Sequence, residues 1–174
     1  HDYEFIIIDG GSTDGSVDVI NKYESYIDYW VSEPDGGIYP GMNKGLRQAK
    51  GEYLNFMNGG DCYHSSDVLE TIFALGSYAD IITGEHAENG LRNVGKDGVT
   101  MLDLYKWAID HQASFIRRDV ALRHPYDEKY RIVSDWKFFI EALIFDNCTF
   151  YYTDLVVVDV EIEIGRAVQQ ECRD

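Results

Sequence analysis

The sequence predicts an α/β fold: an open, mostly parallel sheet with helices packed on both faces. Two patterns carry that reading. Short β-branched, apolar runs end in turns rich in glycine and acid, and amphipathic helical spacing follows each turn. The chain has 174 residues, 45% of them apolar, which is enough to bury a real core. One domain is expected at this length, over residues 1–165, with 166–174 as a tail that reads as a terminal helix or as residues without bearing on function.

Each element has a local reason. Residues 3–9 form the first run, Tyr3-Glu-Phe-Ile-Ile-Ile-Asp9, which breaks at Gly10-Gly-Ser-Thr-Asp-Gly15. Val17, Val19, Ile20, Tyr23, Tyr26 and Ile27 then recur at helical spacing. A second strand is expected over 28–32, followed by the turn Glu33-Pro-Asp-Gly-Gly37 and a helix with Pro40 in its first turn and Met42, Leu46 and Ala49 on its apolar face. Residues 52–57 make a third strand, leading through Asn58-Gly-Gly-Asp61 to a helix that starts near Asp67 and carries Leu69, Ile72 and Phe73. Beyond residue 79 the alternation weakens. Gly84, Gly90, Gly95 and Asp97-Gly98 break a polar stretch into a hairpin or loop. A helix over 102–109, a strand over 113–116 and a helix from Ser134 with Trp136, Phe139, Ile140, Leu143 and Ile144 on one face come next. Val158, Val160, Ile162 and Ile164 alternate with acids, the pattern of a half-buried edge strand.

Charge and composition exclude several functions. With 31 acidic and 15 basic side chains the net charge is −16, which disfavours nucleic acid and anionic membrane surfaces as partners. The apolar runs fall far below the ~18 residues of a membrane span, so no transmembrane segment is expected. Three cysteines, Cys62, Cys148 and Cys172, are widely spaced without a CxxC pair. They suggest neither a disulfide framework nor a zinc site, and a cytoplasmic location is expected. No two histidines stand at i, i+4 spacing. Gly10-Gly11 lacks the spacing and the lysine of a P-loop, which disfavours a Walker-type ATPase.

In an open α/β sheet ligands bind beyond the carboxyl ends of the strands. The turns over 9–14, 33–37 and 58–61 are therefore expected on one rim, and Asp9, Asp14, Asp35 and Asp61 all lie in them. Such a rim repels a bare phosphate and recruits a divalent cation, Mg2+ or Mn2+, which takes one or two carboxylates and then diphosphate oxygens. The bland readings are a helix cap for Asp14 and ordinary turn chemistry for Asp35 and Asn58 to Asp61. Asp135 follows Ser134 at a helix start, where an acid is commonly a dipole-stabilised surface group and equally suits a general base.

Taken together, Phe5-Ile-Ile-Ile-Asp-Gly-Gly-Ser-Thr-Asp-Gly15, Ser32-Glu-Pro-Asp-Gly-Gly-Ile-Tyr39, Met42-Asn-Lys-Gly45, Gly51-Glu-Tyr-Leu-Asn-Phe-Met-Asn-Gly-Gly-Asp61, His111-Gln-Ala-Ser-Phe-Ile116 and Ser134-Asp-Trp136 resemble the family-2 glycosyltransferases. The nearest branch is that of bacterial colanic-acid and other surface-polysaccharide enzymes. The resemblance implies a GT-A fold that transfers a sugar, with inversion, from a nucleotide-diphosphate donor to a saccharide or lipid-linked acceptor. It implies that Asp9, Gly10, Gly11, Asp14, Asp35, Asn43 and Lys44 bind the nucleotide sugar, and that Asp61 holds the metal. Asp135 matches the catalytic base; His111, Gln112 and Trp136 border the acceptor. Asn58 stands where many relatives carry an acid, so Asp61 is expected to be the one direct protein ligand. Pro40-Gly41 and Lys137 also depart from the family pattern. Relative to the family, the first βα unit, roughly 30 residues, is missing before Tyr3, which would leave a strand edge that invites homodimerisation. Lipid-linked acceptors would place the protein at the periphery of the inner membrane. The competing reading is a nucleotide-sugar-binding or interaction module without turnover. A sugar nucleotidyltransferase finds no glycine-rich loop with a catalytic basic residue.

Overall fold

The computed structural model describes residues 3–88, 91–93, 95–96 and 98–160. In chain order its elements begin with β1 (Ile6–Asp9), α1 (Ser16–Lys22), β2 (Tyr29–Ser32), α2 (Ile38–Gln48) and β3 (Tyr53–Leu54). There follow β4 (Cys62–Tyr63), α3 (Val68–Ala74), β5 (Ile81–Glu88), β6 (Leu91–Asn93), α4 (Met101–Lys106) and β7 (Ser114–Arg117). The last are α5 (Arg118–Arg123), α6 (Ser134–Ile140) and β8 (Phe150–Val160). The contacts divide the chain into two units, one of residues His1–Leu54 with Arg117–Phe138, the other of Asn55–Ile116 with Phe139–Asp174.

In the first unit β1 and β2 pair in parallel, with Ile6 opposite Tyr29 and Asp9 opposite Ser32. The intervening helix is shorter than its apolar spacing predicts. α1 ends at Lys22 and a 3-10 turn, Glu24–Tyr26, takes over. Only Ile20 of α1 is buried, while Val19 and Tyr26 are exposed. α2 is entered through Gly37, whose φ of 136° lies in a region that side chains with a Cβ avoid. It buries Tyr39, Met42 and Leu46, an i, i+3, i+7 stripe that explains why this segment holds as a helix despite its two glycines and a proline. Pro40 sits in the first turn, where its missing N–H costs nothing. Helix α5, not foreseen from the sequence, contributes the buried Val120 and Ala121.

The second unit carries a mixed sheet in the order β7-β5-β8-β4, with β6 also on β5. β5 and β8 are parallel; β6, β7 and β4 join antiparallel. Parallel pairing, expected for most of the sheet, is found in this unit's described strands only between β5 and β8; Glu88 and Leu91, three positions apart in sequence, pair antiparallel, as so short a separation requires. Two elements correct the sequence reading. Gly84, taken as a breaker, lies inside β5, because a Cβ built there would meet Val157 Cγ2 at 2.4 Å and the Leu155 carbonyl at 2.6 Å. The glycine marks close approach of β8, at a register shift between the strands. β8 is an interior strand rather than an edge: β5 pairs with it from Phe150 to Val160, and β4 adds on its other side at Val158 and Asp159. Val157 and Val158 are accordingly both buried. Ile162, Ile164 and the tail 166–174 lie outside the described residues, as do Gly90 and Asp97.

α4 begins at a reciprocal cap, Thr100 accepting from the Asp103 N–H while the Asp103 carboxylate accepts from the Thr100 N–H. It stops at Lys106, short of the predicted Ile109. After α6 the helix widens into a π turn, Glu141–Phe145, so Phe139 and Ala142 reach the interior and Trp136, Leu143 and Ile144 are only half-buried. Among the described residues no helix is long and apolar enough to cross a membrane.

Gly84→Ala is expected to lower stability by about 1–3 kcal/mol through overpacking against β8. Gly59→Ala, with nothing within 4 Å of its new Cβ, should stay within about 0.5 kcal/mol of the parent in urea denaturation.

Candidate active site

In the first unit the site is built around the carboxylate at the end of β1. Asp9 is buried, and its Oδ2 accepts three hydrogen bonds: from the Gly11 N–H at 3.0 Å, the Ser12 N–H at 2.9 Å and the Ser32 hydroxyl at 2.6 Å. These donors fold the glycine turn back over the strand end and tie it to the end of β2. The Ser12 side chain, then Ser32 and the two N–H groups, hold the Asp9 carboxyl down at about 2. Gly11, at φ 86°, supplies the left-handed step the turn requires. Asp14 is exposed and spends its Oδ1 on the Ser16 N–H and hydroxyl, at 3.1 and 2.7 Å, just before α1. The Ser16 hydroxyl first, then its N–H, holds the Asp14 carboxyl below the usual carboxylate range.

Asp35 brings the second turn against the first. Its Oδ1 accepts the Gly37 N–H at 2.9 Å, and the carboxylate lies where a Cβ on Gly10 would be 3.3 Å from both oxygens. A Cβ on Gly41 would fall 2.9 Å from Oδ2. The glycine that departs from the family pattern at 41 therefore makes room for Asp35. The turns over 9–14 and 33–37 are thus adjacent, as expected.

Helix α2 supplies Asn43 and Lys44. Asn43 is buried with its amide fully engaged: Nδ2 donates to the Tyr126 carbonyl at 2.8 Å and to Glu128 Oε1 at 2.9 Å, while Oδ1 accepts the Tyr126 N–H at 3.0 Å. Its work in this structure is to fasten α2 to the segment after α5. Lys44 pairs with Glu33 at 2.9 Å. Asp135 stands in the first turn of α6, half-buried. Its Oδ1 accepts the Tyr39 hydroxyl at 2.8 Å and the Trp136 N–H at 2.9 Å. Sequence reasoning missed Tyr39 as a functional residue, although it closes the motif that begins at Ser32. Burial first, then the Asp135 charge, pushes its phenol upward.

In the second unit four hydrogen bonds draw residues 55–61 onto residues 111–114. Asn55 Nδ2 donates to the Gln112 and Ser114 carbonyls at 2.8 and 3.0 Å. Asn58 Nδ2 lies 3.2 Å from His111 Nε2, and Gln112 Nε2 donates to Asp61 Oδ2 at 3.3 Å. The structure therefore gathers Asp61, His111 and Gln112. Asn55, unremarked in the sequence, is the clamp, and the Tyr63 hydroxyl on its Oδ1 at 3.0 Å fixes its amide. His86 on β5 pairs with Asp110, which raises its basicity. Among the described residues no group of three or more His, Cys, Asp or Glu side chains is arranged to hold a metal ion. A single carboxylate fits a cation only where diphosphate and water complete its shell.

The architecture is that of the GT-A glycosyltransferases. TarS from Staphylococcus aureus, residues 1–349 in complex with UDP, superposes with a TM-score of 0.71 over 97% of this chain and 54% of its own, at 18% identity. The mannosyltransferase PcManGT from Pyrobaculum calidifontis, in complex with GDP-Man and Mn2+, gives 0.70 over 98% of this chain and 51% of its own, at 15% identity. A family model described as "Glycosyl transferase family 2" matches residues 1–99. A "PGL/p-HBAD biosynthesis glycosyltransferase" of Mycobacterium tuberculosis and M. bovis is 32% identical over 150 residues, 81% of this chain and 58% of the relative. The chain belongs to glycosyl transferase family 2. It spans just over half the length of the curated relatives it matches.

Because the Asp9 carboxyl sits near 2 in the folded protein against an ordinary 3.8, its contribution to stability is complete above about pH 4 and is lost as pH falls toward 2. Asp9→Asn should cost about 1–3 kcal/mol at pH 7 and flatten the acid limb of stability between pH 4 and 2, read by thermal melts across that range.

Proposed function

We propose that the protein is an inverting glycosyltransferase, moving a sugar from a nucleotide-diphosphate donor to a saccharide or lipid-linked acceptor in the assembly of bacterial surface polysaccharide or glycolipid. The observation that carries this is the convergence of Asp9, Gly10 and Asp35 in one first-unit cluster, in a chain of this family. Residues 1–165 act as one GT-A domain in this reading. Support for the donor class comes from the UDP and GDP-Man held by the two solved relatives, and support for a glycolipid product from the mycobacterial ones.

The glycine turn presents Asp9 and Asp14 to the base and ribose, and Asp35 lies near the nucleotide. Asn43 serves this pocket by fixing α2, with Lys44 beside it. Asp61 holds a divalent cation, Mn2+ or Mg2+, whose charge offsets that of the departing diphosphate. The acceptor hydroxyl oxygen forms its bond to the anomeric carbon as the bond from that carbon to the diphosphate oxygen breaks. Asp135 takes the hydroxyl proton, and the nucleoside diphosphate leaves with the electron pair. His111, Gln112 and Trp136 border the acceptor. One base and one cation suffice for inversion, because the leaving group needs no protonation.

A thermal-shift panel of UDP, GDP and dTDP with and without Mn2+ tests the donor site. A nucleotide at 100 times its Kd should stabilise the fold by about 2.7 kcal/mol. The metal-dependent part of that shift should vanish in Asp61→Ala; its persistence would remove Asp61 from the metal site.

A further inference from the structure

Helix α4 is turned the wrong way round for a surface helix. Of its residues only Leu104 is buried. Tyr105 is 77% exposed, Leu102 59% and Met101 46%, and Trp107, just past the helix end, is exposed as well. At 3.6 residues per turn Met101, Tyr105 and Leu102 share one arc of the helix, with Lys106 at its margin. A surface helix ordinarily sets charged and polar groups there. The charge around the arc is equally unlike the rest of the molecule. Residues 98–109 contain one acid, Asp103, and one base, Lys106, so the segment is neutral in a chain of net charge −16. That acid is spent inward: its side chain is 15% exposed, accepts the Thr100 N–H and hydroxyl, and pairs with Lys96 at 2.6 Å. The same segment runs into the second-unit cluster. After Trp107 the chain is anchored by the buried Ile109 and by the Ser114 hydroxyl, which donates to the Asp110 carbonyl at 2.6 Å, and it continues into His111 and Gln112.

We propose that α4 and Trp107 form a membrane-docking surface whose apolar arc enters the boundary between headgroups and acyl chains of a phospholipid bilayer. Met101 and Leu102 supply apolar area to that boundary. Tyr105 and Trp107 carry rings with one polar atom, which favour the headgroup level, and Lys106 extends its ammonium to lipid phosphates. The helix is far too short to span a bilayer and lies in its surface. Charge complementarity selects this occupant: the acidic remainder of the chain is repelled by a phosphate-bearing surface, and α4 presents a neutral, lysine-edged face to it. Docking there would bring residues 111 and 112 to a lipid-linked acceptor held in the same bilayer; that use, though not the docking, rests on the transferase reading.

The test is co-sedimentation of the protein with vesicles of phosphatidylcholine, alone or mixed with phosphatidylglycerol, at low and high salt. The protein should partition onto both. High salt should leave binding to phosphatidylcholine unchanged and strengthen binding to the anionic vesicles, because it screens repulsion from the acidic remainder. The double substitution Leu102→Gln, Tyr105→Gln introduces good helix formers at exposed positions. It should melt at the parent temperature while its partition coefficient falls roughly 10- to 100-fold. No binding to either vesicle overturns the proposal, and so does equal binding by the double variant. A concentration-dependent dimer without lipid that the variant lacks would assign the arc to a second copy and overturn it too. Should the variant melt lower, tryptophan quenching by lipids brominated on their acyl chains decides instead: it should fall in Trp107→Phe, and undiminished quenching overturns the proposal. Thermal shifts with UDP and GDP plus Mn2+ keep the two readings apart. A donor shift without vesicle binding removes the docking surface and leaves the transferase; vesicle binding without a donor shift does the reverse.

Discussion

The carboxylate of Asp9 is the point on which the carboxyl-terminal end of the β1–β2 pair depends. Three donors from two separate segments converge on one oxygen at the end of β1. A strand end followed by two glycines has no conformational preference of its own, because glycine loses more freedom on ordering than any other residue. The carboxylate supplies what the backbone lacks. It closes the turn at residues 11 and 12, and through Ser32 it sets where β2 ends. Asp35, whose carboxylate lies against Gly10, inherits its position from that same turn. A buried charge tolerates this place only because every donor offered to it is used.

Most of the first unit was legible because its signals are local. The apolar runs that end at Asp9 and Ser32, and Met42 and Leu46 on the buried face of α2, follow from sequence spacing alone. What misled was any residue whose role is set by a partner distant in sequence. Gly84 reads locally as a breaker, yet its reason is Val157 across a parallel pair. β8 reads locally as an edge, since acids alternate with valines, but β4 and β5 on either side bury it. The second unit depends on such long-range pairing far more than the first, so its mixed sheet could not be read from hydropathy.

The same distinction separates the candidate site residues. Asp9, Gly10, Asp35 and Asp135 stood out as candidates by their motifs, and so did Asp61, His111 and Gln112 one by one, but not the hydrogen bond that joins Gln112 to Asp61. Asn43 was identified too, but the motif did not reveal that its amide is spent on Tyr126 and Glu128, more than eighty positions away. Asn55 and Tyr39 went unremarked for the same reason. Neither sits at a turn or carries charge, and the polar role of each comes from hydrogen bonds that the fold creates.

One consequence concerns how α2 divides its work. Its buried face carries two polar groups beside Met42 and Leu46: the Tyr39 hydroxyl and the Asn43 amide, one turn apart, each reach across to residues between 126 and 135. A helix held only by Met42 and Leu46 would be free to slide by small amounts, since apolar contact is non-directional. Two directional anchors fix both its rotation and its height, at the cost of desolvating an amide and a phenol. That cost is recovered only if all their bonds form together, which makes α2 and the segment carrying Asp135 a single cooperative element. Asp135 belongs to that element: with its Oδ1 accepting both the Tyr39 hydroxyl and the Trp136 N–H, the direction of its carboxylate is set by the fold and not by solvent.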